Sequence, residues 1–100
     1  MKLGILVNTD RHLEHLKGLV KAARSKGHEV IIFIMDDGTN LLRDSYIDEL
    51  GRTEGISVSY CCHNAKQREN DMPFISDSVI SGSQMNNVEM YNDADRVIVL

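Results

Sequence analysis

Apolar and polar positions alternate along this chain in a pattern that marks out its elements. Lys2 to Val7, "KLGILV", is an apolar run of strand length, stopped by Asn8, Thr9 and Asp10. From Arg11 to Lys26, Leu13, Leu16, Val20 and Ala23 recur at helical spacing with Leu19 beside them. That is the stripe of an amphipathic helix. Thr9 or Asp10 can cap its start, and Gly27 fits the position just past its end.

Glu29 to Met35, "EVIIFIM", is nearly continuous and rich in β-branched residues, as expected of a central parallel strand buried on both faces. Asp36, Asp37 and Gly38 end it. A second helix is predicted over Asn40 to Leu50, with Leu42, Tyr46, Ile47 and Leu50 on one face and Gly51 just beyond. Ile56 to Tyr60, "ISVSY", alternates as a third strand. "HNAKQREN" reads as a short helix that must be over before Pro73. Asp71 to Gly82 has no clear period, although "DSVIS" fits a short fourth strand. Ser83 is a plausible N-cap for a helix to about Tyr91, with Met85, Val88 and Tyr91 expected inward. "RVIVL", from Arg96 to Leu100, is the fifth strand.

Strands and helices alternate at the spacing of βα units, so a parallel sheet covered on both faces is the expected solution. The chain reads as one domain over residues 1–100. Ligands of such sheets bind beyond the carboxyl ends of the strands. Three loops are predicted along that edge: Asn8–Asp10, Asp36–Gly38 and Cys61–Asn64.

Composition narrows the function. The 100 residues carry a net charge of −4, with Lys and Arg scattered, so no basic face for nucleic acid is expected. The N-terminal run lacks the features of a signal peptide, and no segment approaches membrane-spanning length. A cytoplasmic location is therefore expected, in which thiols stay reduced.

The chemistry concentrates in "SYCCHNAKQREN", where an apolar strand gives way to a polar helix start. Unpaired amides and the positive helix pole at such a junction favour a thiolate, and Lys66 and Arg68 add positive charge nearby. Cys61 or Cys62 can therefore act as a nucleophile. Equally, both can be small buried residues that end a strand. Zinc is a weaker fit. Cys61, Cys62 and His63 are adjacent instead of spaced, and His12 and His15 could contribute only from the first helix. The chain has no Gly-rich phosphate cradle, and the Asp36–Asp37 pair reads more simply as a solvated turn than as a nucleotide pocket. A Cys61–Cys62 disulfide would distort the intervening peptide.

"GISVSYCCHNAKQRE" resembles the third strand and following turn of the DsrE/DsrF-like sulfur-relay family. "KLGILVNTD" resembles that family's first strand, and "IIFIMDDGTNLL" its second strand with an Asp-Gly turn. "SGSQMNNVEMYNDADRVIVL" is similar to its closing helix, Ala-Asp turn and last strand. The resemblance implies a three-layer α/β/α sandwich with a mostly parallel five-stranded, flavodoxin-like sheet, assembled as trimers or hexamers. It implies that Cys61 is the sulfur-bearing cysteine, carrying a persulfide between donor and acceptor proteins without a cofactor. Cys62 falls on a variable position and would be an accessory thiol. Arg68, Lys66, His63 and Asn64 would stabilise the thiolate, and Asn8, Asp10, Asp37 and Gly38 would frame the pocket. The alternative is a non-catalytic oligomeric or small-molecule-binding module with structural cysteines. The sequence departs from the family pattern at Glu69, where Gly is usual.

Overall fold

The computed structural model describes residues 1–70 and 76–100. Pro73, the expected limit of the short helix, lies outside the described residues. The strands are β1 (Lys2–Val7), β2 (Glu29–Ile34), β3 (Ile56–Cys61), β4 (Ile80–Gly82) and β5 (Arg96–Val99). They form one sheet in the order β4-β3-β2-β1-β5. Every pairing is parallel, so the sheet is wholly and not just mostly parallel. β1 pairs with β2 through Leu3–Val30 and with β5 through Leu3–Arg96.

The helices are α1 (Leu13–Ser25), α2 (Ser45–Arg52), α3 (Cys62–Gln67) and α4 (Gln84–Asp93), with a 3-10 helix over Asp36–Arg43. The main core lies between one face of the sheet (Ile5, Val7, Val30, Ile32, Val58) and Leu16, Val20, Ile47 and Leu50 of α1 and α2. On the other face Leu6, Phe33 and Cys61 meet Met90 of α4 in a second, smaller cluster. Phe33 is fully buried there, which contributes roughly 2–3 kcal/mol. Among the described residues the sandwich is therefore lopsided, with several helices on one face and α4 alone on the other. Among the described residues no helix is long and apolar enough to cross a membrane.

Several local expectations are corrected. His12, not Thr9 or Asp10, is the N-cap of α1, and its side chain makes no capping bond. Thr9 instead accepts a hydrogen bond from the Arg11 amide at 3.3 Å. Gly27 does sit past the helix end with φ +78°, a left-handed conformation that glycine adopts without penalty. The helix expected over Asn40–Leu50 is broken at Asp44, which is extended and accepts from the Tyr46 amide at 2.9 Å. A capping aspartate restarts the chain there, so Gly51 lies inside α2 and not past its end. The fourth strand begins at Ile80, later than "DSVIS" suggested, and the cysteine helix begins at Cys62 and stops at Gln67.

The largest correction concerns α4. Ser83 caps it as expected, accepting from the Met85 amide while Asn86 Oδ1 accepts from the Ser83 amide. Yet Met85, Val88 and Tyr91 are 61%, 52% and 49% exposed, and Met90 is the residue turned inward. Gly4 explains the choice. A Cβ on Gly4 would lie 3.1 Å from Ala94 Cβ and from Met90 Cγ. The bare backbone of β1 thus lets the Met90–Ala94 side of α4 come close, which turns the other apolar stripe to solvent.

Candidate functional site

Cys61 ends β3, and its side chain follows the strand's alternation away from Tyr60. Tyr60 enters the main core, while Cys61 joins Leu6, Phe33 and Met90 beneath α4. Cys62 begins α3 and packs, half-buried, against the main core instead. The two thiols are both free and belong to different faces of the sheet. Cys61 is 4% exposed. As the N-cap of α3 it accepts the Asn64 amide hydrogen on Sγ at 3.5 Å, so a backbone donor points at this sulfur.

Asn64 ties the cysteine turn to the end of β2. Its Oδ1 accepts from the Asp36 amide at 3.1 Å, and its Nδ2 donates to Gln67 at 3.2 Å. Asp36 is held with φ +47°, a left-handed conformation that aspartate tolerates better than most residues. Arg68 reaches back across the same gap. Its Nε lies 2.9 Å from Asp37 Oδ1, and its Nη2 lies 3.8 Å from Asp36 Oδ1. The Arg68 charge is thereby committed to two carboxylates, and the donor that reaches sulfur is the Asn64 amide.

A second polar chain lies beside the first and was not legible in the sequence. Asn70 is buried and donates to Asn40 Oδ1 at 2.6 Å and to Thr39 Oγ1 at 3.3 Å. Thr39 donates to the Asp36 carbonyl at 2.8 Å, and Asn40 Nδ2 to Asp10 Oδ2 at 3.0 Å. These bonds join the loops after β1 and β2 to the end of α3. Apart from the local Thr39–Asp36 bond their partners are 30 or 31 positions apart, and no local signal marks Thr39 or Asn70. Gly38 seats the turn: a Cβ there would lie 2.4 Å from the Val7 carbonyl oxygen.

The three loops expected at the carboxyl edge therefore do meet, through Asn64 with Asp36 and through Asp10 with Asn40. Asn8 is exposed and its amide faces the Leu100 carbonyl at 3.4 Å, away from the cysteine turn. His63 and Lys66 are exposed on α3. His12 and His15 face each other with ring centres 5.3 Å apart. Among the described residues no group of three His, Cys, Asp or Glu side chains is arranged to hold a metal ion.

No family model matches this sequence, and no curated protein does. Solved structures do match in shape. The ychN protein of E. coli superimposes with a TM-score of 0.75 at 17% identity, covering 99% of this chain and 97% of that one. A protein of unknown function from Methanobacterium thermoautotrophicum gives a TM-score of 0.74 at 14% identity, covering 99% and 98%. Both have the DsrE-like fold. At these identities the likeness speaks for architecture, and in its five-stranded parallel sheet, its helices and its full-length superposition this chain has the DsrE-like α/β fold.

Proposed function

We propose that this protein is a cytoplasmic sulfur carrier that holds a persulfide on Cys61 and passes it on by thiol exchange. The observation that supports this reading is the backbone donor on Cys61: the Asn64 amide points at Sγ from the first turn of α3. A donor there favours the charge that Sγ carries as the attacking thiolate and again as the leaving group on delivery. In the loading step the Cys61 thiolate attacks the outer, sulfane sulfur of a donor persulfide. The new S–S bond forms as the old one breaks, and the donor leaves as a thiolate. Delivery is the same exchange with an acceptor thiolate. Neither step requires a cofactor or an external oxidant. Because Cys61 is 4% exposed, transfer requires the cluster of Leu6, Phe33 and Met90 to open around it.

The working unit in this reading is a homo-oligomer. Ile80, Met85, Val88, Tyr91 and Val99 are the exposed large apolar residues other than Met1 among those described, and all belong to the face covered by α4 alone. A second copy is the partner that would cover such a surface in a trimer or hexamer.

The burial of Cys61 favours a second reading, a non-catalytic oligomeric or small-molecule-binding module whose cysteines are packing residues. Intact mass after incubation with a persulfide donor separates the two. Sulfur carriage requires wild type to gain one sulfur atom, Cys62→Ser to gain it too, and Cys61→Ser to gain none. A wild type that gains nothing, or two single variants that load alike, leaves the packing reading standing.

A further inference from the structure

On the sheet face remote from Cys61, α1 and α2 leave a groove of about 340 Å³. Its volume is at the small end of the range for ligand pockets, about 300–1,000 Å³. Its apolar floor is made by Val20, Leu50 and Ile56, all buried from below by the main core. Its rim on the α1 side carries Lys17, Lys21 and Arg24, one helical stripe of three cations. In a chain of net charge −4 this clustering stands out. Lys17 pairs with Glu14 at 3.2 Å and lies 5.2 Å from the centre of the Tyr46 ring. Arg24 donates to the His28 carbonyl, a neutral partner, at 2.8 Å. Neither Lys21 nor Arg24 is ion-paired among the described residues. The opposing rim offers one carboxylate, Glu49, and the Tyr46 phenol. That phenol is a hydrogen-bond donor at neutral pH, and partial burial, with Glu49 and Glu14 nearby, raises its pKa further.

We infer that this groove binds a small amphiphilic carboxylate, its apolar body lying on Val20, Leu50 and Ile56 and its anionic head held by Lys21 and Arg24. Charge selects the head: Lys21, exposed at the rim, and the half-buried Arg24 have no ion-pair partner among the described residues, so they favour an anion and disfavour a cation of the same shape. The floor selects the tail, because only apolar surface there gains from leaving water. A free acetate ion has the head without the tail, and a long-chain ammonium has the tail with the wrong head. The site is independent of the sulfur-carrier reading, since it lies on the other face of the sheet and uses neither cysteine.

The test is a titration of the ¹⁵N-labelled full chain, followed by amide chemical shifts, with three probes: decanoate, decyltrimethylammonium and acetate. Decanoate is expected to give saturable shifts in α1 and α2 at the groove, while the other two give none there. Lys21→Glu should weaken decanoate binding by about tenfold, and Lys26→Glu, at the C-cap of α1 and outside the groove, should not. Lys21→Ala serves if the charge reversal perturbs folding, which the amide dispersion reports directly. The inference is overturned by any of four results. These are no saturable shift into the millimolar range, equal binding of the ammonium, equal weakening by Lys26→Glu, or decanoate shifts confined to the exposed face of α4. Groove shifts on diluting the protein alone would also overturn it, by showing that a second copy is the occupant.

Discussion

Glu69 offers the sharpest test of the geometry around the cysteine turn. It follows α3 with φ +56°, in the left-handed region, where its amide donates to the Lys66 carbonyl and that of Asn70 to the Ala65 carbonyl. This is the helix-ending turn that glycine ordinarily occupies. A Cβ in that conformation costs about 1–2 kcal/mol. Replacing Glu69 by glycine relieves this, but glycine's greater freedom in the unfolded chain returns about 0.5–1 kcal/mol. The net expectation for Glu69→Gly is a gain of about 0.5–1 kcal/mol, or a rise in Tm of about 2–8 °C for a domain of this size. Little else changes: the Glu69 side chain is exposed, makes no hydrogen bond or ion pair among the described residues, and offers Arg43 only its carbonyl. Urea unfolding followed by far-ultraviolet circular dichroism, at fixed protein concentration, measures the gain as a higher midpoint with unchanged slope. Glu69→Ala is the control. It removes the charge and keeps the Cβ, so its stability should stay within about 0.5 kcal/mol of wild type. If alanine stabilises as much as glycine, the charge and not the backbone conformation was the cost. A glycine variant no more stable than wild type would refute the argument outright.

Gly38→Ala should act in the opposite direction, because its Cβ would lie 2.4 Å from the Val7 carbonyl oxygen. The expected loss is about 1–3 kcal/mol in the same urea assay, and an unchanged midpoint would mean that the turn does not sit against β1. Asn70→Ala removes two hydrogen bonds, one to the buried Thr39 and one to the exposed Asn40, and is expected to cost about 1–3 kcal/mol, read as faster amide hydrogen exchange in α3 as well as lower stability. Asp48 supplies a pH dependence: chiefly the hydrogen bond from Ser76, aided by Arg52 and Ser78 against some desolvation, lowers its pKa from the ordinary 3.8. The unfolded chain then binds this proton more readily. The resulting stability is complete above the ordinary value and lost as pH falls through the lowered one. Asp48→Asn should flatten the acid limb of a plot of urea midpoint against pH, and an unaltered limb would remove Asp48 from the account. Finally, Val88→Lys on the exposed stripe of α4 should shift sedimentation from oligomer to monomer with the circular dichroism spectrum unchanged. A wild type that sediments as a monomer would end the assembly reading.

The strands and their order of appearance were legible because a buried parallel strand must be apolar over nearly its whole length, as "VIIFIM" within β2 and its end is, whatever packs on it. Gly27 and Ser83 were legible for an equally local reason: a left-handed helix end and an N-cap are satisfied within a few residues. Even the break at Asp44 had its capping signal in the chain, masked by an apolar stripe that ran through it. The meeting of the three loops followed from topology alone, since consecutive parallel strands put their carboxyl ends on one edge.

The facing of α4 could not be read in this way. Its sequence offers two apolar sides, and Gly4, some 80 positions away, selects the Met90 side by letting the backbones approach. The surroundings of the cysteines were also decided in three dimensions. Strand alternation predicts that Cys61 and Cys62 point apart, but not that Cys61 is closed over by α4. Likewise a basic residue after the cysteines is visible as a charge, while its commitment to Asp36 and Asp37 depends on where the end of β2 arrives. Sequence thus determined what each segment had to bury or cap, because those demands are local. Tertiary structure decided which partner met each demand, because partners far apart in the chain become neighbours only when the sheet has formed.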